Sequence, residues 1–173
     1  LKIKEMINYS KQTIDSSDLR AVSKTLKSNY LTQGPKSEQF ESKIRKYTGA
    51  KYSVVVNSAS SALLMSCLSL GLKKNDLIWT VPNTFVASAN CAILSGHKVD
   101  FVDIDDETWN ISLEKLKIKL QKAKIKKKLP KALIVVHLAG LPVDPVELKK
   151  LSRKYKFFII EDASHSIGSK YYG

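Results

Sequence analysis

The sequence predicts an α/β fold, a three-layer α/β/α domain with a mainly parallel sheet. Five apolar bursts of strand length alternate with segments long enough to form helices. The bursts are almost continuously apolar, which is typical of strands that are covered on both faces. Strand–helix alternation favours parallel pairing through right-handed crossovers, and these connections place helices on both faces of the sheet.

The predicted strands are rich in β-branched and aromatic residues. They span residues 52–56, 77–81, 98–104, 132–138 and 157–162. Ligands of such sheets bind beyond the carboxyl ends of the strands, so the residues that directly follow a strand are the first candidates for a functional site.

Six further segments have the length and pattern of helices. They span residues 15–29, 37–49, 58–71, 84–96, 112–128 and 144–156. Cap-type residues open the first at 15–17, and a Gly-Pro turn at 34–35 precedes the second. Gly71 and Gly96 are placed as helix C-caps, and Ser112 is placed as an N-cap.

Composition excludes several classes of protein. A chain of 173 residues with 43% hydrophobic and 26% charged residues is one soluble domain, or most of one. No apolar run approaches the roughly 18 residues of a membrane helix, and the N-terminus lacks the apolar centre of a signal peptide. Cys67 and Cys91 lie in apolar helical patterns and predict reduced core thiols, without the ligand spacing of a zinc site. We therefore expect a cytoplasmic protein with no metal and no membrane partner.

The net charge of +13 raises the question of nucleic-acid binding. Arginine, the usual base-reading residue, occurs only three times, and the excess charge is lysine. The densest lysine run, 115–128, keeps Leu116, Leu120 and Ala123 near helical spacing, which favours an amphipathic helix with a solvated lysine face. No nucleic-acid partner is predicted.

Small residues follow the first predicted strand and open a helix. Ser58, Ala59 and Ser60 stand where a helix N-terminus offers unpaired N–H groups and the positive end of its dipole. Small side chains would let a phosphate approach closely. An ordinary N-cap serine at a tight helix–sheet contact would have the same sequence, and both interpretations remain open.

Two more strand ends carry candidates. Phe85 follows the second strand and could lie flat on a planar ligand, or could be part of the core. Asp162 ends a strand that we expect to be central and buried, where a carboxylate is costly without a partner. A protonated heterocyclic nitrogen would supply that partner, and His165 could bond another edge of the same ring. Alternatively, Asp162 caps a turn and His165 is satisfied locally. Glu161 should point to the opposite face.

A phosphate cradle, a flat aromatic and a carboxylate for a ring nitrogen are together what pyridoxal 5′-phosphate requires. With these residues in this order, the chain resembles the DegT/StrS sugar aminotransferases of the fold-type I pyridoxal-phosphate superfamily. The resemblance runs through ordered motifs from about Tyr9 onward, among them NSASSAL, VPNTFVASAN, VVHLAGLPVDPVEL and EDASHSIGS. The chain has histidine at position 165, where many members carry glutamine. In this respect it is similar to the branch that aminates a UDP-linked 4-keto-6-deoxy-hexosamine in pseudaminic acid biosynthesis.

The resemblance implies a role for each matching residue. Residues 58–60 would hold the cofactor phosphate, chiefly through backbone N–H groups of Ala59 and Ser60. Phe85 would stack on the ring, Asp162 would pair with the ring nitrogen, and His165 would approach the ring hydroxyl. The nucleotide-sugar site would be lined by Tyr9, Asn29, Tyr30, Leu31 and Thr32.

The resemblance also implies that the chain is incomplete. Residues 1–173 match the N-terminal part of the cofactor-binding large domain, and the family's Schiff-base lysine is expected beyond Gly173, as is the C-terminal small domain. The chain alone should be inactive, whereas the intact protein should be a homodimer that takes its amino group from a donor such as glutamate. Two alternatives stay open: a dehydratase of the same family that uses the amine form of the cofactor, and a non-catalytic half-domain that serves binding or assembly.

Overall fold

The computed structural model describes residues 11–171. The chain divides into two compact units, one up to Val55 and one from Val56 onward.

The first unit contains two helices, α1 (Ser16–Leu26) and α2 (Pro35–Thr48). Asp15 caps α1 in a reciprocal capping box with Asp18, which satisfies N–H groups that the first turn of a helix leaves without partners. Proline is the first residue of α2, where its missing N–H costs nothing, and Gly49 ends the helix in the left-handed conformation. Both predicted helices are confirmed, and α2 begins two residues earlier than predicted.

The strand predicted at 52–56 is wrong, because these residues form no strand. A strand needs a neighbour that accepts and donates its backbone hydrogen bonds. Here the Val55 N–H instead donates to the Glu41 side chain at 2.8 Å, and the side chains of Tyr52 and Val54 are exposed. An apolar pattern alone therefore does not make residues 52–56 a strand, because they also need a neighbouring strand to pair with.

The second unit contains a parallel sheet of four strands in the order β2-β1-β3-β4. The strands are β1 (Leu77–Thr80), β2 (Lys98–Phe101), β3 (Ala132–Val136) and β4 (Phe158–Asp162). Their parallel pairing confirms the remaining four predicted strands. In the described sheet β4 is an edge strand, so the expected central position of Asp162 is wrong, although its side chain is buried.

Four helices cover this sheet: α3 (Ala59–Ser69), α4 (Ala87–Leu94), α5 (Leu113–Ile125) and α6 (Pro145–Tyr155). Successive strand residues point to opposite faces, so Trp79 and Leu133 pack with side chains of α5 and α6, whereas Ile78 and Ile134 pack with α3 and α4. The two separate cores confirm the predicted three-layer α/β/α architecture.

Several predicted local features of these helices are confirmed. The Ser112 side chain accepts a hydrogen bond from the Lys115 N–H at the start of α5, and Leu116, Leu120 and Ala123 are the buried residues of that helix. Gly96 follows α4 with a φ of 85°, a conformation that favours glycine. The helix predicted from residue 84 begins only at Ala87.

Both cysteines are free thiols in the core between α3 and α4. Their Sγ atoms lie 3.7 Å apart, and the hydrogen bond between the two thiols, together with burial, raises the pKa of Cys91. No helix among the described residues is long and apolar enough to cross a membrane. Within residues 11–171 no group of three or more His, Cys, Asp or Glu side chains is arranged to hold a metal ion.

Candidate functional site

A cavity of about 290 Å³ lies within the second unit, at the carboxyl ends of β3 and β4. The N-terminus of α3 and the loop between β1 and α4 complete its wall. It is lined by Ala59, Ser60, Leu63, Thr84, Phe85, Ala87, Val136, His137, Leu138, Asp162, Ser164 and His165. Five of the six predicted cofactor-binding residues therefore meet at one place, where parallel sheets commonly bind ligands.

The N-terminus of α3 brings backbone donors to this cavity. Ser58 is the N-cap, and its Oγ accepts from the Ser61 N–H at 3.2 Å. Ala59 and Ser60 are the first two helical residues, whose N–H groups have no carbonyl partner within the helix. Ser58 is thus the cap and is not among the lining residues, whereas Ala59 and Ser60 are.

Phe85 lies in the loop 81–86, ahead of α4 rather than within it. Its side chain is 73% exposed, so the alternative that it belongs to the core is wrong. An exposed aromatic ring at the mouth of a cavity has a free face on which a planar ligand can lie.

Asp162 is the last residue of β4 and is only 9% exposed. Its Oδ1 accepts from the Ser164 hydroxyl at 2.6 Å and from the Ser164 N–H at 3.3 Å. Its Oδ2 accepts from the Ser88 hydroxyl at 2.9 Å. All three donors are neutral, and no lysine, arginine or histidine of residues 11–171 forms an ion pair with this carboxylate. The turn-capping interpretation is correct for Oδ1, and the negative charge still faces the cavity without a cation.

His165 is fixed by the loop that follows β3. Its Nδ1 accepts from the Ala139 N–H at 3.3 Å, so in the neutral ring the proton is on Nε2, which becomes a donor. Ala139 and Gly140 both have positive φ, and the Ser169 hydroxyl donates to the Gly140 carbonyl at 2.8 Å. These contacts join the loops 138–141 and 163–169 around the cavity.

Four polar residues that line or support the cavity were not predicted: Thr84, Ser88, His137 and Ser164. His137 is buried, and its Nδ1 accepts from the Val143 N–H at 3.1 Å. A histidine directly after an apolar strand was a usable signal for it, as a serine two residues after Asp162 was for Ser164. Ser88 carried no such signal, because it is 74 residues from the carboxylate it contacts.

The predicted substrate residues lie elsewhere in the chain. Asn29, Tyr30, Leu31 and Thr32 form the exposed loop between α1 and α2 in the first unit. The Ser28 hydroxyl bonds the Tyr30 carbonyl at 3.1 Å and shapes this loop locally. Tyr9 is outside the described residues. The assignment of these five residues to a substrate stays a prediction.

The chain is similar to known aminotransferases. The model of the DegT/DnrJ/EryC1/StrS aminotransferase family matches residues 12–173. A UDP-4-amino-4,6-dideoxy-N-acetyl-beta-L-altrosamine transaminase of Campylobacter jejuni is 42% identical over 168 residues, which are 97% of this chain and 43% of that protein. The chain thus spans less than half the length of this relative.

Solved structures show the same likeness. PseC of Helicobacter pylori, an aminotransferase involved in the biosynthesis of pseudoaminic acid, is 33% identical with a TM-score of 0.87, over 96% of this chain and 43% of that chain. NtdA of Bacillus subtilis, solved with bound cofactor PMP, is 29% identical with a TM-score of 0.76, over 87% of this chain and 33% of that chain. These likenesses confirm the predicted fold class and the resemblance drawn from the sequence motifs.

Proposed function

The chain belongs to the DegT/DnrJ/EryC1/StrS aminotransferase family, and we propose that it forms the cofactor-holding part of a pyridoxal-phosphate-dependent nucleotide-sugar aminotransferase. The observation that carries this proposal is Asp162. A carboxylate that is buried among neutral donors retains an uncompensated charge, which favours a cation in the adjoining cavity. A protonated pyridine nitrogen is such a cation.

The donors around the cavity fit the rest of the cofactor. The first N–H groups of α3, at Ala59 and Ser60, together with the helix dipole suit a phosphate. Nε2 of His165 is a donor for a phenolic oxygen, because Nδ1 already accepts from Ala139. A cavity of about 290 Å³ that also opens onto an exposed aromatic ring suits a small planar molecule.

When bound, the cofactor would supply an electron sink for moving an amino group from an amino acid to a ketone. The protein would supply the surroundings. Ala59 and Ser60 would hold the phosphate, and Phe85 would cover one face of the ring. Asp162 would keep a proton on the ring nitrogen, since an adjacent negative charge raises the pKa of a cationic group. His165 would orient the ring through its oxygen.

The proposed acceptor is a UDP-linked 4-keto-6-deoxy-hexosamine, and the proposed amino donor, which only the sequence resemblance implies, is glutamate. Support comes from the altrosamine transaminase of C. jejuni and from the H. pylori enzyme of pseudoaminic acid biosynthesis. Both are transaminases by name, which favours transamination over the dehydratase and binding-module alternatives. Tyr9 and residues 29–32 are the proposed contacts to the nucleotide sugar.

We further propose that residues 1–173 correspond to the N-terminal part of the large domain. The relatives are more than twice as long as this chain. As the sequence resemblance implies, the lysine that binds the cofactor covalently would belong to the part that this chain does not match. A homodimer and a cytoplasmic location for the complete protein are part of the same proposal.

Binding of pyridoxamine 5′-phosphate tests the proposal, because the amine form needs no covalent lysine. Using the complete product of the gene, we expect Asp162→Asn to weaken binding about 100-fold, as loss of one partner of a buried ion pair typically does. Glu114→Gln is the matched control, since Glu114 lies exposed in the first turn of α5 and does not line the cavity. Equal affinity of Asp162→Asn and the parent protein would refute the assignment.

A further inference from the structure

We propose that Ser88 is a positioning residue that holds the Asp162 carboxylate in the orientation a cationic ring nitrogen requires. This inference rests on the proposed cofactor site and assigns a role to a residue that does not itself line the cavity. Ser88 is the second residue of α4, its side chain is completely buried, and its hydroxyl contacts Asp162 Oδ2 at 2.9 Å.

The hydrogen atoms of this contact can be assigned. An ionised carboxylate only accepts, so the single hydroxyl hydrogen of Ser88 goes to Asp162. The Thr84 Oγ1 lies 2.8 Å from the Ser88 Oγ, and Thr84 must therefore be the donor of that bond. The result is a directed chain from Thr84 through Ser88 to Asp162, in which each bond polarises the next.

These hydrogen bonds from Thr84 and Ser88 mean that both oxygens of the Asp162 carboxylate are held. The Ser164 hydroxyl and N–H hold Oδ1, and the Ser88 hydroxyl holds Oδ2. With both oxygens engaged, rotation of the carboxylate about its terminal bond breaks at least one hydrogen bond. Without Ser88, Oδ2 is a buried acceptor with no donor among the described side chains, which raises the proton affinity of the carboxylate. Asp162 would then hold a proton on a bound ring nitrogen less firmly.

The same series of hydrogen bonds links two parts of the site that are distant in sequence. Thr84 is the neighbour of Phe85 in the loop before α4, and Asp162 ends β4. Ser88 is the one side chain among the described residues that bonds to both Thr84 and Asp162. The position of the loop that carries the aromatic ring is thereby tied to the carboxylate beneath it.

The test uses the complete gene product and pyridoxamine 5′-phosphate with a ¹⁵N-labelled ring. For Ser88→Ala we expect an affinity about tenfold lower, since a hydrogen bond to a charged group is lost. The ¹⁵N resonance of the bound ring should also move toward that of unprotonated pyridine. Thr84→Val should move both quantities in the same direction by less. Ser95→Ala is the matched control, because that hydroxyl lies at the other end of α4 and donates to the backbone carbonyls of Cys91 and Ala92.

The outcomes separate this inference from the function on which it rests. If Asp162→Asn loses affinity while Ser88→Ala keeps both the parent affinity and the parent ¹⁵N shift, the role of Ser88 is refuted and the cofactor site stands. If Asp162→Asn binds as the parent does, the cofactor site itself fails. Should thermal melting show that Ser88→Ala does not fold, Ser88→Cys decides the question, because a thiol is a weak donor of similar shape. Parent values for both measurements in that variant would overturn the proposal.

Discussion

The two units of the chain differ in how much apolar surface their helices bury. In the first unit neither α1 nor α2 contains a buried residue, although Leu19, Val22 and Leu26 recur near helical spacing. In the second unit all five residues of β3 are buried, and the helices on either side contribute to two cores. Caps and periodicity are thus enough to specify a helix, whereas burial follows from the crossovers that place helices against a sheet.

Paired leucine truncations test this contrast and should give the largest effect. Leu133 is 0% exposed in β3, and Leu133→Ala should lower the free energy of unfolding of the complete gene product by roughly 2–5 kcal/mol. Leu26 is 64% exposed in α1, and Leu26→Ala should lower it by less than about 1 kcal/mol. Chemical denaturation measures both. Equal losses would mean that the apolar stripe of α1 is covered in solution, and the contrast would be lost.

A second pair compares glycines of positive φ. A Cβ on Gly140 would lie 2.9 Å from the His165 carbonyl oxygen, and the φ of 86° is itself unfavourable for alanine. Gly140→Ala should cost roughly 2 kcal/mol or more and should weaken pyridoxamine phosphate binding by displacing the His165 loop. Gly49 has a φ of 74° with no atom within 4 Å of the added Cβ, so Gly49→Ala should cost about 1 kcal/mol and leave binding unchanged. Unchanged binding in Gly140→Ala would argue against a role for His165.

The smallest predicted effect is the loss of the Asp15 helix cap at low pH. Hydrogen bonds from Ser17 and Asp18 hold the pKa of Asp15 below its ordinary value of 3.8. The folded pKa is depressed, so the capping contribution is present above the ordinary value and is lost as the pH falls through the folded pKa. The protection of the Ser17 and Asp18 amides against hydrogen exchange, relative to their intrinsic exchange rates, should decrease in that range. The Lys115 amide, which the uncharged Ser112 side chain caps, should keep its protection against exchange. Asp15→Asn should remove the pH dependence in α1, and its persistence would contradict this explanation.

The parts of the fold that were predictable are those fixed by local signals. The cap residues Asp15 and Ser112 and the apolar runs of the four strands are readable along the chain, and the structure agrees with them. The strand at 52–56 was not correctly predicted, because an apolar run does not reveal whether a pairing partner exists. Pairing is a long-range property, and the sequence pattern is local.

The candidate site divides in the same way. Phe85 follows a predicted strand and Asp162 ends one, so both could be selected because parallel strands end at one edge of a sheet. Ala59 and Ser60 were selected after a predicted strand that does not form, and the signal that holds for them is their place at the start of α3. Ser88 could not be selected, since its significance depends on the placement of α4 against β4. The tautomer of His165 likewise depends on the Ala139 N–H from a different loop. Contacts between different elements therefore determine the hydrogen bonds and tautomers of the site residues. The ends of the parallel strands determine where the site lies.

A crystal structure of the complete gene product with pyridoxamine 5′-phosphate would test the proposed cofactor site most directly. We predict that the ring nitrogen lies within hydrogen-bond distance of the Asp162 carboxylate and that the phosphate lies at the N–H groups of Ala59 and Ser60. A structure in which the cofactor lies elsewhere, or in which a lysine or arginine side chain neutralises Asp162, would contradict it.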